Sequence, residues 1–82
     1  LIPHDLPARG VRLSNARGVF DAPIAEWCVA MMVNLARDLP RMYRNQRAAH
    51  WDRGARFQTE IWGRTVGFWG YGGLARETAR VA

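Results

Sequence analysis

Gly70-Tyr71-Gly72-Gly73-Leu74-Ala75 is the stretch of this 82-residue chain whose residue types and spacing carry chemistry. It has the form G-x-G-x-x-A, the turn by which a chain leaves a strand, reverses and enters a helix beside a dinucleotide. Gly70 permits the tight reversal. Gly72 removes a side chain, so that main-chain amides can approach a pyrophosphate. Ala75 lets the following helix lie close to a sheet. The unpaired amides of a first helical turn, with the helix dipole behind them, favour the negative charge of phosphate. An acidic residue about 20 positions further on would hold the ribose hydroxyls. The sequence stops at Ala82, before that point, so the choice of cofactor is not readable.

The elements that must position this turn follow from periodicity. Thr65-Val66-Gly67-Phe68-Trp69 is a short, mostly apolar run that suits a strand buried on both faces. After the glycines, Leu74, Thr78 and Val81 mark one helical face, and Arg76 and Arg80 another. Upstream, residues 1–10 hold two prolines and end on Gly10, a turn-rich lead-in. Val11–Ser14 alternates as a short strand does, and Asn15–Phe20 is a loop. A helix is expected from Asp21 as N-cap, with Pro23 in its first turn and Glu26 favoured by the dipole. Ile24, Trp27, Cys28, Met31, Leu35 and Leu39 recur at three- and four-residue steps, which marks a buried face. Pro40 should break or kink this helix after Leu39, and a second amphipathic stretch runs from Arg41 to about His50. Residues 51–63 show no period and read as a connector packed down by Trp51, Phe57 and Trp62.

Composition bounds the rest. At 82 residues the chain is one small domain or a piece of a larger one, and 49% apolar content with four tryptophans is too rich for disorder. A domain this short buries only about 60–65% of its unfolded surface, so such side chains ask for a larger core. The net charge of +5 comes from twelve arginines and no lysine, spread along the chain rather than clustered. Nucleic acid is therefore not the expected partner. An alternative is a basic helical module that uses Arg37, Arg41, Arg44 and Arg47 on nucleic acid or an acidic partner, although Asp38 and Pro40 interrupt that stripe. The single cysteine, Cys28, excludes an intrachain disulfide and reads as an inert thiol in a reducing, cytoplasmic compartment. The apolar run from Trp27 to Val33 stops well short of the ~20 residues that span a bilayer, so no membrane partner is expected. No His, Cys, Asp or Glu spacing suits a metal. His4 and His50 have no evident chemical partner, and Glu26 reads as a helix-start carboxylate rather than a general acid. The first residue is Leu1, and the last helical pattern meets no stop signal, so a piece of a longer protein is expected.

Over nearly its whole length the sequence resembles the D-isomer-specific 2-hydroxyacid dehydrogenases, a family that includes phosphoglycerate dehydrogenase and the glyoxylate/hydroxypyruvate reductases. The residues that carry the resemblance are Ser14–Val19, Pro23–Trp27, Leu35–Pro40, Gln46–Trp51 and Gly63–Gly72. It implies an α/β fold, as a fragment of a two-domain Rossmann-type dehydrogenase. Residues 1–20 would end the substrate domain, 21–50 would be interdomain helices with a long crossover helix, and 51–82 would start the NAD(P)-binding domain with its first strand, turn and helix. It implies NAD or NADP as cofactor, with Gly70, Gly72, Gly73, Leu74 and Ala75 as the contacts. Gly73 departs from the arginine or histidine often found there, as Phe20 departs from a histidine or asparagine. A remnant that has lost activity is a further alternative. The family's catalytic arginine, glutamate and histidine would lie beyond Ala82, so no catalytic residue is assigned. The full-length parent would pass a hydride between the nicotinamide and a small 2-hydroxy or 2-keto acid, as a homodimer.

Overall fold

Three helices carry the structure, a computed structural model that describes residues 2–54 and 56–82. They are α1 (Asp21–Arg37), α2 (Leu39–Arg47) and α3 (Gly73–Val81), preceded by one tight helical turn at Pro7–Arg9. Leu1 and Ala55, which fall in the expected lead-in and connector, lie outside the described residues.

The first bond of α1 runs from the amide of Ile24 to the carbonyl of Phe20 at 3.1 Å, which makes Phe20 the N-cap and Asp21 the first helical residue. The expected Asp21 cap is thus displaced by one position, and its carboxylate is released for another contact. Pro23 lies in the first turn as expected. At the other end Asp38 closes α1 in the left-handed region, at φ 49°, a conformation short polar side chains tolerate better than most. Its carboxylate then accepts from the amide of Arg41 at 3.4 Å, capping α2. Pro40 therefore sits in the first turn of α2, where its missing N–H is harmless, and α1 ends two residues before the expected Leu39, at Arg37. The connector returns to this corner. Thr59 and Gln58 donate to the carbonyls of Ala36 and Arg37, which are left over from the end of α1.

Helix α3 packs on α1, burying Ala25 on one helix and Thr78 on the other. Ala25 is small enough to allow close approach. The Thr78 hydroxyl donates to the carbonyl of Leu74 at 2.8 Å, so burial leaves it satisfied. The buried face of α1 is rotated from the expected stripe, since Ile24, Trp27 and Leu35 are exposed. Among the described residues Ala25 is the one fully buried apolar side chain. The radius of gyration, 20.7 Å, is well above the ~12 Å of a compact chain of this length. These residues do not close a core of their own.

No strand forms among the described residues, so the strands expected of an α/β fragment are not present in the chain as it stands. A strand exists only by pairing its amides and carbonyls with a neighbour, and Val11–Ser14 and Thr65–Trp69 find none here. Val66, Phe68 and Trp69 are exposed, not covered on two faces. Trp51 and Trp62 are likewise exposed, and only Phe57 of the three connector aromatics is partly buried.

Candidate functional site

The glycine turn is built as the sequence requires. Gly70 has φ 95°, a left-handed conformation that costs a residue with a side chain about 1 kcal/mol or more. Phe68 and Tyr71 pack edge to face across it, with ring centroids 5.8 Å apart and planes at 78°. Gly72 is extended, at φ −91° and ψ −159°, and acts as the N-cap of α3. The first bond of the helix runs from the amide of Arg76 to the carbonyl of Gly72 at 3.0 Å. All five candidate contacts, Gly70, Gly72, Gly73, Leu74 and Ala75, thus fall in one turn and the first turn of one helix.

The turn is open. A side-chain carbon built on Gly70 or Gly72 would meet nothing within 4 Å. Among the described residues, the amides of Gly72, Gly73, Leu74 and Ala75 find no acceptor. Such donors, aligned with the positive end of a helix dipole, suit a phosphate. Free amides beside an unfilled cradle therefore fit the pyrophosphate of a dinucleotide. The one side chain that comes close is Asp21, whose Oδ2 would lie 2.7 Å from a carbon added to Gly73. Sequence reasoning missed this approach, because nothing local in either segment signals it.

The rest of the chain offers less. Glu26 is exposed at the start of α1, and the described residues hold no cluster of His, Cys, Asp or Glu that could bind a metal. A hollow of about 800 Å³ lies under Met42, Gln46, His50 and Phe57, away from the glycine turn. Its carboxylate, Asp52, is already bonded to Arg41 at 2.9 Å. Arg41 also lies 4.0 Å over the Phe57 ring, and Arg37 belongs to a different helix. The proposed stripe of Arg37, Arg41, Arg44 and Arg47 is therefore not one continuous cationic face. No described helix is long and apolar enough to cross a membrane.

Residues 29–82 match the family model described as D-isomer specific 2-hydroxyacid dehydrogenase, NAD binding domain, a description that fits a Rossmann-type parent. The chain is 27% identical over 74 residues to a hydroxypyruvate reductase of Thermotoga maritima, covering 90% of this chain and 24% of that protein. It is 32% identical over 71 residues to a D-3-phosphoglycerate dehydrogenase of Rattus norvegicus, covering 87% of this chain and 13% of that one. The chain thus spans a quarter or less of the relatives it matches. No solved structure matches it. The chain belongs to the D-isomer specific 2-hydroxyacid dehydrogenase family, and residues 29–82 to the NAD binding domain of that family.

Proposed function

We propose that these residues are the opening of the NAD(P)-binding portion of an oxidoreductase acting on the CH–OH group of 2-hydroxy acids. The observation that carries this reading is the set of unmatched amides at Gly72, Gly73, Leu74 and Ala75, beside the positive φ of Gly70. Gly70 turns the chain, the amides meet the pyrophosphate charge, and Ala75 keeps the first turn of α3 slim. When bound, a nicotinamide cofactor supplies the hydride acceptor or donor. None of the 82 residues is assigned a catalytic role, so this segment alone binds weakly and does not turn over substrate. Residues 1–20 then end a substrate domain, the helices of 21–50 lead into the nucleotide domain, whose matched span opens at residue 29, and 51–82 carry its glycine turn and the helix after it. In that whole enzyme Thr65–Trp69 pairs with neighbouring strands, and a homodimer covers the exposed face of α1.

The test is made on the full-length protein. Titration calorimetry with NAD⁺ and NADP⁺ is expected to show one of them bound. Assays with NADH or NADPH and glyoxylate, hydroxypyruvate or 3-hydroxypyruvate phosphate are expected to show reduction of at least one acid. Silence with every pair would remove the oxidoreductase reading.

A further inference from the structure

Asp21 and Gly73 stand far apart in sequence, yet the start of α1 meets the start of α3 through them. A carbon added to Gly73 would lie 2.7 Å from Asp21 Oδ2, 3.4 Å from its Cγ and 3.5 Å from Oδ1. The carboxylate is half-buried, and among the described residues it accepts no hydrogen bond and pairs with no cation. A carboxylate so placed lies at the positive ends of two helix dipoles, that of α1, of which it is the first residue, and that of α3 with its unmatched amides. A phosphate at the same turn would draw on the same field and meet a like charge beside it.

We propose that Asp21 is an internal competitor of the phosphate-bearing ligand and sets how tightly the turn holds a dinucleotide, an inference that rests on the turn being a cofactor site. The carboxylate also stands where a first side-chain carbon at residue 73 would go, so a side chain there would have to displace it. Residue 73 therefore contributes its amide and no side chain, while residue 21 contributes an opposing charge.

The experiment compares the full-length protein with its Asp21→Asn variant, which keeps the shape and removes the charge. Dissociation constants for NAD⁺ and NADP⁺ are measured at low and high ionic strength, with uncharged adenosine as control. Asp21→Asn is expected to bind whichever dinucleotide the parent binds roughly tenfold more tightly at low salt. The gain shrinks at high salt, where charges are screened, and adenosine shows none. Equal or weaker dinucleotide binding by the variant would overturn the proposal. So would a gain that persists unchanged in salt or extends to adenosine, since that would be a packing effect. Should Asp21→Asn not fold, Asp21→Ser carries the same comparison. If the parent itself binds neither dinucleotide, the cofactor reading fails first and this inference with it, a result distinct from binding that ignores residue 21.

Discussion

Thr59 donates its backbone N–H to the carbonyl of Ala36 at 2.8 Å, satisfying an acceptor that the end of α1 at Arg37 leaves without a helical partner. The Thr59 hydroxyl adds a second bond to the same oxygen at 3.2 Å, and Gln58 Nε2 reaches the next carbonyl, Arg37, at 3.3 Å. The connector is held to the corner between α1 and α2 by these bonds.

Thr59→Ala keeps the main-chain bond and loses the hydroxyl, so it should destabilise the folded protein by about 0.5–1 kcal/mol. Thr59→Pro removes both donors and should cost more, about 1–3 kcal/mol. Denaturant unfolding of the two variants checks the order. Equal stabilities would mean that the corner is held by something else.

Arg41 joins two parts of the connector, pairing with Asp52 at 2.9 Å and covering the Phe57 ring at 4.0 Å. Lysine keeps the charge but loses the flat guanidinium that does both. Because the Arg41 side chain is 44% exposed, the ion pair is discounted for screening. Arg41→Lys should therefore cost only about 0.5–1 kcal/mol. A double-mutant cycle with Phe57→Leu should return a coupling of similar size, and additive losses would show that the stacking contributes nothing.

Much of this was legible in the sequence, where local chemistry decides. Pro23, Pro40 and the glycines mark where helices start and stop, because dihedral limits act within a few residues, whereas Asp38, which closes α1 and caps α2, was not read as a boundary. The strand expectations at Val11–Ser14 and Thr65–Trp69 did not carry over, since pairing needs a neighbour that an alternating or apolar pattern cannot supply. The face of α1 was misjudged for a related reason. An all-round apolar helix has no stripe to choose from, and the small Ala25, not the larger Trp27 or Leu35, admits α3. The turn from Gly70 to Ala75 was readable as a motif, whereas the Asp21 carboxylate beside it was not.

Glu77 and Arg80, three residues apart on the exposed side of α3, make a two-pronged ion pair with one bond of 3.0 Å. The hydrogen bond from Arg80 holds the Glu77 carboxyl below its ordinary value, and the guanidinium charge acts in the same direction. A carboxyl whose folded value is depressed stabilises the fold above its unfolded value and loses that contribution as pH falls through the folded one. Helicity of α3 should thus hold from neutrality down to about pH 4.5, the ordinary glutamate value, and decline below it. Glu77→Gln should flatten that part of the acid transition. An unchanged transition in the variant would assign the pH dependence to other carboxyls.

Gly70 and Gly72 separate folding from binding. Gly70 sits at φ 95°, so Gly70→Ala forces a side chain into the left-handed region and should destabilise the protein by about 1–2 kcal/mol. Gly72 sits at φ −91° with open space where a Cβ would go, so Gly72→Ala meets no clash in the free protein. Its folding cost is limited to the poorer N-cap, a few tenths to about 1 kcal/mol. In the proposed cofactor site, that same open space would let a phosphate reach the amides of Gly73 and Leu74. Gly72→Ala should therefore fold nearly as well as the parent, yet bind dinucleotide at least tenfold more weakly by calorimetry. Full binding by a well-folded Gly72→Ala protein would place the ligand elsewhere, because a methyl group cannot share the volume that a phosphate needs.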